Sequence, residues 1–187
     1  MSRPAQSHHA PGQDDRILYR GKKIDLALRP VTLSDGTTAE REVVLHRGAV
    51  ALLPLLDGGA RVCLIRNRRY AINKTLLEVP AGTIDPGEPP DACALRELRE
   101  ETGYIAGRLS LLTEWWVSPG LFTERMYLFR CDDLRPGPHA RELDEQIEPV
   151  EVPWEQAVAM ALDGRIEDAK SMLAILYWDR MRRESGA

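Results

Sequence analysis

The chain contains no long hydrophobic run. Its longest apolar stretch, residues 49–56, is far shorter than the about 20 residues that a helix needs to span a bilayer. Residues 1–15 are polar and contain no apolar segment of the kind that a secretory signal peptide carries, so we expect no signal peptide. Association with a membrane is therefore not expected.

The chain is also poor in cysteine and in excess charge. Cys63, Cys93 and Cys131 are odd in number, widely spaced and not part of a CxxC motif. We expect buried free thiols, which favour a reducing cytoplasm. The net charge of −4 gives no polybasic patch, so nucleic-acid binding is not predicted. An anionic ligand would have to be attracted by a local cluster of arginines or by a metal ion.

The length of the chain allows one substantial core and an accessory element, but hardly two full domains. We predict a disordered tail at residues 1–15, an N-terminal β-sheet at 16–47 and the main domain at 48–187. A sheet of this size is marginal alone, so it should pack against something else. The N-terminal sheet is expected from three strand patterns, at 17–19, 24–28 and 39–45.

Strand and helix patterns alternate through the main domain. The Asp57-Gly58-Gly59 turn suits positive φ angles and predicts a hairpin. Strands are predicted at 48–56, 61–65, 76–79, 109–117, 126–131 and 147–152, and helices at 91–102, 154–162 and 170–183. A less polar stripe on the first helix should face the sheet; it consists of Ala92, Leu95, Leu98 and Thr102.

The segment 82–104 concentrates carboxylates next to a tight turn. Its second half predicts the end of a helix that is capped by Gly103. Glu97 is i,i+3 from Glu100 and i,i+4 from Glu101, so all three carboxylates reach one face, where like charges cost about a few tenths of a kcal/mol per pair. A helix that accepts this repulsion usually has a cation to offset it, and such oxygen ligands suit Mg²⁺ or Mn²⁺.

The spacing within this segment resembles the Nudix box. Gly82 is followed after five residues by Glu88 and after seven more by Arg-Glu-Leu-x-Glu-Glu-x-Gly-Tyr, which begins at Arg96. A solvated acidic helix next to a turn does not explain so many matches at fixed separations. The resemblance implies an α/β protein with the Nudix α/β/α sandwich and a mixed sheet, here joined to a small N-terminal three-stranded antiparallel sheet. It also implies a hydrolase that uses a divalent metal ion to cleave a nucleoside diphosphate linked to another group.

The same resemblance implies roles for the residues of the box. The carbonyl oxygen of Ala81 and the carboxylates of Glu97 and Glu101 would be ligands of Mg²⁺ or Mn²⁺. Glu100 would bind a second metal ion or orient the attacking water, which makes it a catalytic candidate. A tight turn and an ion pair between the loop and the helix would support the site. The supporting residues are Gly82, Glu88 and Arg96.

Features outside the box resemble the ADP-ribose pyrophosphatase subfamily. Pro119 of a Ser-Pro-Gly sequence lies sixteen residues beyond Gly103, and the motif continues to Glu124. The run 65–70 carries three arginines, of which Arg69 would face the substrate phosphates, because a guanidinium offers bidentate donors. The substrate-binding residues implied by the subfamily are Arg41, Glu42, Arg69, Ser118, Gly120 and Glu124.

A charged loop before the strand predicted at 147–152 contains the candidate general base. In the subfamily an acidic loop at this place supplies another metal ligand and a base. Aligned on Ile147, the best match in this chain is Glu145. Family members often have a second glutamate two positions earlier, where this chain has Leu143. This departure leaves open whether Glu142, Asp144 or Glu145 transfers the proton.

The resemblance as a whole implies metal-dependent hydrolysis of ADP-ribose to AMP and ribose 5-phosphate by a homodimer, and the free cysteines favour a cytoplasmic location. The N-terminal sheet would help to build the dimer. Two other functions stay open: hydrolysis of GDP-mannose or another nucleoside diphosphate sugar, and a non-catalytic sensor that binds an ADP-ribose-like ligand and regulates a partner. Sensors tend to have eroded boxes, whereas the box of this chain is intact.

Overall fold

A small N-terminal sheet precedes a larger central sheet in the computed structural model, which describes residues 11–137 and 147–184. Strands β1 (Arg16–Arg20), β2 (Ile24–Thr32) and β3 (Thr38–His46) form the N-terminal antiparallel sheet. Asp15, at the end of the predicted tail, accepts two hydrogen bonds from Arg29 of β2, at 2.7 and 2.8 Å. The sheet also carries several exposed apolar side chains: Leu18, Tyr19, Ile24 and Leu33.

The main domain combines a mixed sheet with three helices. In the central sheet β12, β5, β4, β10 and β9 lie side by side, while β6 pairs with β5 and β7 with β4. The β4–β10 pair is parallel and the other pairs are antiparallel. The elements are β4 (Ala49–Leu56), β5 (Arg61–Arg69), β6 (Lys74–Glu78), β7 (Ala81–Thr83), α1 (Pro90–Thr102), β8 (Tyr104–Ile105), β9 (Arg108–Trp116), β10 (Arg125–Asp132), β11 (Arg135–Pro136), β12 (Ile147–Pro153), α2 (Trp154–Leu162) and α3 (Ala169–Glu184).

The central sheet has a hydrophobic core on each of its faces. Successive side chains of a strand point to opposite faces, and the buried strand β4 supplies both cores. Val50 and Leu52 belong to the core that contains Leu98 of α1. Ala51 and Leu53 belong to the core that contains residues of α2 and α3. Helices therefore cover both faces, which confirms the predicted α/β/α sandwich.

Helix α1 lies on the sheet through a different face from the one predicted. Cys93 and Ala94 are buried together with Leu98 and Thr102. Ala92 is exposed and Leu95 is 45% exposed, so the expected stripe is wrong at these two positions. The helix also buries the carboxylate of Glu101, which rotates the buried face away from the most apolar stripe.

Strand boundaries follow the sequence patterns except where pairing extends or adds a strand. β5 continues to Arg69 because β6 pairs with it from Arg69↔Lys74 to Ile65↔Glu78. The arginine-rich run therefore forms the last part of β5. Asp57, Gly58 and Gly59 have φ angles of 50°, 68° and 97°, as the hairpin prediction requires. No alternation of apolar residues indicated β7, β8 and β11, because strands of two or three residues are too short to show a period.

Cys63, Cys93 and Cys131 are buried and free, which confirms that prediction. Burial raises the pKa of Cys63 and Cys131 to about 12 and also raises the pKa of Cys93. The thiols therefore stay protonated at neutral pH, and a protonated thiol is a poor nucleophile. None of the described helices is long and apolar enough to cross a membrane.

Candidate active site

A cavity of about 360 Å³ lies beside α1 and is lined by both signs of charge. One part of its wall comes from α1 and from the turn before it. The other part comes from strands β5 and β10, the start of α3 and the N-terminal sheet. The charged residues that line the cavity are Lys23, Arg47, Arg69, Asp85, Arg96, Glu97, Glu100, Glu101, Glu124 and Lys170.

Glu101 ties α1 to the turn that contains Ala81. Its side chain is 3% exposed, and its Oε2 accepts a hydrogen bond from the backbone N–H of Ala81 at 2.8 Å. A carboxylate that is buried in this way needs a partner, because the charged form is costly to remove from water. The contact therefore holds the helix against the turn and brings the Ala81 backbone to the cavity.

Gly82 is the residue that lets Glu97 approach this turn. A Cβ atom built on Gly82 would lie 1.8 Å from Oε1 and 1.9 Å from Cδ of Glu97. Contacts this short cannot exist, so any side chain at position 82 would displace the carboxylate of Glu97. The carboxylate of Glu97 has room at this turn because residue 82 is a glycine, which agrees with the tight turn expected from the sequence.

Arg96 connects the loop before α1 with the carboxylates on the helix. It forms a fork with Glu88, in which Nε and Nη2 each donate a hydrogen bond at 2.9 Å. These hydrogen bonds lower the pKa of Glu88 and raise the pKa of Arg96. Nη1 of Arg96 also donates to Glu97 at 2.7 Å and to Glu100 at 3.0 Å. The positive charge of Arg96 therefore offsets the repulsion between the carboxylates that share one face of α1.

The donor atoms around Gly82 are those that a hard divalent cation prefers. The carbonyl oxygen of Ala81 and the carboxylates of Glu97, Glu100 and Glu101 are oxygen ligands, which suits Mg²⁺ or Mn²⁺. Within residues 11–137 and 147–184, however, no three acidic, histidine or cysteine side chains are grouped closely enough to hold an ion. Arg96 and the Ala81 N–H hold the carboxylates instead. The donor atoms are thus of the kind that fits a divalent ion, and Glu97 and Glu100 are bonded to Arg96 in this structure.

Glu78 organises the opposite wall of the cavity. Its side chain is completely buried in β6 and accepts hydrogen bonds from Nε and Nη2 of Arg69 at 2.7 and 2.5 Å. Nζ of Lys170 donates to the same carboxylate at 2.5 Å and lies 2.9 Å from Asp168. The contacts with Glu78 raise the pKa of Arg69. Two cations of the cavity are thus held by one buried carboxylate.

Glu124 reaches the cavity from the loop that packs on β3. The loop is fixed by hydrogen bonds from the Val44 N–H to the Leu121 carbonyl at 2.8 Å and from the Thr123 N–H to the Val44 carbonyl at 3.0 Å. Burial disfavours the charged form of Glu124 and raises its pKa. A nearby positive charge, on Lys170, opposes this shift. Glu124 is therefore protonated more readily than a carboxylate in water would be.

The NUDIX domain model matches residues 45–175. This range contains the whole box, helix α1 and the strands that line the cavity. The chain belongs to the Nudix family. It is a Nudix pyrophosphohydrolase, as the intact box and the relatives described next indicate.

Two curated relatives of this Nudix enzyme are pyrophosphatases by name, and another, 32% identical over 162 residues, is the methanol dehydrogenase activator of Bacillus methanolicus. It is 39% identical over 162 residues to the ADP-ribose pyrophosphatase of Bacillus subtilis (strain 168). The aligned region covers 86% of this chain and 87% of the relative. It is 41% identical over 105 residues to the GDP-mannose pyrophosphatase of Yersinia pestis (strain Pestoides F). This alignment covers 54% of this chain and 52% of the relative. A solved ADP compounds hydrolase has the same fold, with a TM-score of 0.78, 24% identity and coverage of 95% and 98%.

Several residues predicted to contact the substrate of this Nudix enzyme lie away from the cavity. Arg41 and Glu42 are exposed on β3, and Ser118 and Gly120 are exposed in the loop before β10. These four do not line the cavity as it is formed by the described residues. The candidate bases Glu142, Asp144 and Glu145 lie outside the described residues.

Besides Asp85, four charged residues of the Nudix site were missed by the reasoning from the sequence. Glu78 could have been found from the sequence, because it lies inside the apolar strand predicted at 76–79 and a buried carboxylate needs a partner. For the three cations no local signal existed, since they belong to a loop, a strand connection and the start of a helix. The missed residues are Lys23, Arg47, Glu78 and Lys170.

Proposed function

We propose that this Nudix pyrophosphohydrolase cleaves the diphosphate bond of ADP-ribose and releases AMP and ribose 5-phosphate. The observation that carries the proposal is that the carboxylates of the box and a set of arginine and lysine side chains line one cavity. A diphosphate needs positive charge to bind, and its hydrolysis needs carboxylates that can hold a metal ion and handle a proton. The similarity to an ADP-ribose pyrophosphatase along 86% of the chain supports this choice of substrate.

GDP-mannose or another nucleoside diphosphate sugar is the second candidate substrate. The GDP-mannose pyrophosphatase relative is similar over only 54% of the chain, which favours ADP-ribose. A non-catalytic sensor is the third candidate. Against it, Glu97, Glu100 and Glu101 all line the cavity, and a sensor would not need to keep these three carboxylates.

The proposal includes a divalent metal ion, Mg²⁺ or Mn²⁺, at the box. The residues that would hold it are Ala81, through its carbonyl oxygen, Glu97, Glu100, Glu101 and Glu145. A bound divalent ion supplies neutralisation of the diphosphate charge and a water molecule of lowered pKa.

The side chains of the protein itself bind the substrate and move the proton in this proposal. Arg69 binds a phosphate with the part of its guanidinium that Glu78 does not use. Glu100 orients the attacking water, and Glu145 accepts its proton. Arg96 fixes Glu88 and the loop to the helix, so the carboxylates keep their places. Arg41, Glu42, Ser118, Gly120 and Glu124 are proposed to contact the outer parts of the substrate.

The test of the proposed function is a comparison of substrates under matched conditions. We expect AMP and ribose 5-phosphate from ADP-ribose in the presence of Mg²⁺, measured by chromatography of the products. Chelation of the metal by EDTA should abolish turnover, because the diphosphate charge would then lack its main neutralising group. A higher kcat/KM for GDP-mannose would select the second candidate, and no turnover of any nucleoside diphosphate sugar would select the sensor.

Glu145 is proposed as the general base, and this assignment can be tested by kinetics. We expect Glu145→Gln to lower kcat strongly and to leave KM within a few-fold, because the interaction is made mainly in the transition state. Glu142→Gln and Asp144→Asn should cost little, since exposed loop charges are worth under about 1 kcal/mol. A larger loss of kcat in either of these two variants would transfer the role of base to that residue.

The homodimer, the boundaries at residues 16–47 and 48–187, and the cytoplasmic location also belong to the proposal. The apolar side chains exposed on the N-terminal sheet support a two-fold contact, because a three-stranded sheet buries little alone. Sedimentation at micromolar concentration should show a dimer, and a monomer of 21.0 kDa would contradict it.

A further inference from the structure

Most positive charges of the cavity are already neutralised by carboxylates. Arg96 is paired with Glu88, Glu97 and Glu100. Arg69 and Lys170 are paired with Glu78. Attraction between these groups and an incoming anion is weakened, because the field of each cation is partly cancelled by its partner.

Lys23 and Arg47 are different from the other cations of the cavity. Both line it, and neither forms an ion pair with any residue in the ranges 11–137 and 147–184. The contact that Arg47 does make is with a neutral group, a hydrogen bond from Nη2 to the carbonyl oxygen of Lys22 at 3.3 Å. The uncompensated positive charge of the cavity is therefore at the wall that the N-terminal sheet provides.

The N-terminal sheet brings these two cations to the same end of one strand pair. β2 and β3 pair from Ile24↔His46 onward, and Lys23 and Arg47 are the residues directly before β2 and directly after β3. Like charges held at the same end of two paired strands repel each other. The hydrogen bond from Arg47 to Lys22 keeps the two chain segments together in spite of this repulsion. An anion between the two side chains would turn the repulsion into attraction.

Arg47 also carries a buried donor without an acceptor. Its Nε is one of two buried side-chain nitrogen atoms in the described residues that have no hydrogen-bond partner; the other is Nε of Arg125. Leaving a buried donor unsatisfied costs about 1–3 kcal/mol, and more for a charged group. A ligand oxygen that accepted from this guanidinium would remove the cost. Repulsion and an unsatisfied donor thus occur at the same place, and one kind of ligand relieves both.

We propose that Lys23 and Arg47 form an anion subsite that binds a phosphate group of the substrate. The inference rests on the proposed function in that it takes the substrate to be a nucleoside diphosphate. Arg47 offers a planar set of donors that matches a phosphate, and Lys23 adds a flexible point charge. The N-terminal sheet is then part of the binding site, since it supplies both residues. The phosphate can be one of the diphosphate or a monoester phosphate elsewhere on a larger substrate.

The test is the binding of inorganic pyrophosphate, ADP-ribose and 2′-phosphorylated ADP-ribose to the full-length chain, measured by calorimetry in EDTA so that no turnover occurs. Lys23→Gln and Arg47→Gln are compared with Lys22→Gln. This control removes the same charge from the same loop but keeps the carbonyl oxygen that Arg47 contacts. We expect each of the first two variants to raise the Kd about tenfold, as for a lost charge-assisted hydrogen bond, and the control to stay within about twofold of the wild type.

The three ligands identify the phosphate that is bound. Weaker binding of pyrophosphate assigns the subsite to the diphosphate. Unchanged pyrophosphate binding with weaker binding of the 2′-phosphorylated ligand alone assigns it to a monoester phosphate. The inference is overturned if Lys23→Gln and Arg47→Gln bind all three ligands as tightly as Lys22→Gln, or if the wild type binds none of them.

Activity assays separate this inference from the proposed function. With ADP-ribose as substrate, Arg47→Gln should raise KM about tenfold and leave kcat nearly unchanged, the pattern of lost ground-state binding. A general loss of structure would lower kcat as well, and Lys23→Gln, at an exposed position, repeats the test without that risk. A wild type that binds pyrophosphate through this pair but hydrolyses no nucleoside diphosphate sugar would refute the proposed function and leave the subsite in place.

Discussion

Replacement of Glu101 by glutamine should lower kcat on the order of 10²-fold or more, as expected for loss of a key electrostatic group. Glu101 is buried beside the backbone of Ala81, where a charge acts more strongly than it does in water. The glutamine side chain has nearly the same volume, and its amide oxygen can still accept the hydrogen bond from the Ala81 N–H. The fold should therefore persist, and the loss of rate would report the missing charge. The measurement is steady-state turnover of ADP-ribose at saturating Mg²⁺.

Asp91→Asn is the matched control for this variant. Asp91 is exposed in the first turn of the same helix and lies outside the cavity. It should cost at most about 1 kcal/mol of helix stability and leave turnover unchanged. Retention of most activity by Glu101→Gln at saturating metal would show that Glu101 is not a metal ligand. Equal melting temperatures of the two variants would exclude unfolding as the cause of a difference in rate.

Glu78→Gln is expected to lower the free energy of unfolding by about 3 kcal/mol. Removing one partner of a buried ion pair costs about 3–5 kcal/mol, because the other charge is left buried without compensation. We expect the lower end of this range, since the Arg69 side chain is still 41% exposed and water can solvate it in part. Lys170 is largely buried, but Asp168, 2.9 Å away, still compensates part of its charge. Urea denaturation at neutral pH measures the change.

Glu148→Gln provides the comparison for this effect. Glu148 lies on β12 and pairs with Arg66 of β5 at 3.4 Å, and the side chains are 68% and 52% exposed. An exposed pair of this kind is worth about 0–1 kcal/mol, because both ions keep most of their water. A destabilisation of Glu78→Gln as small as that of Glu148→Gln would mean that the buried network does not stabilise the fold. We also expect Glu78→Gln to raise KM, because it frees Arg69 and Lys170 from their shared partner.

The secondary structure was largely predictable because its signals are local. Alternating apolar residues marked most strands, and Gly103 ended helix α1 as a left-handed cap with a φ of 74°. The face on which α1 packs was less accessible. Ala92 and Leu95 have apolar side chains and yet are exposed, since Glu101 must also be buried and turns the helix. The face that the helix buries depends on the hydrogen-bond donor in the neighbouring turn, the Ala81 N–H. A helical pattern in the sequence does not contain that information.

The candidate site also has one part that was predictable from the sequence and another part that was not. The box could be recognised from spacing alone, because the turn and the helix that carry it are continuous in sequence. Glu78 and Lys170 are 92 residues apart in the chain, and no pattern within either segment indicates that they meet. The same holds for Lys23 and Arg47, whose proximity follows from the register of two strands. Long-range pairs of this kind are set by how the sheet and the helices pack.

The sequence by itself determined the family, the α/β/α arrangement and the set of carboxylates that could hold a metal ion. These properties depend on residue type and on short, fixed separations along the chain. Only the tertiary structure decided which further charges are paired: Arg96 with Glu97 and Glu100, and Glu78 with Arg69 and Lys170. The physical reason is that the energy of a charge depends on its distance to other charges and on its exposure to water. Both quantities arise only when distant segments of the chain come together.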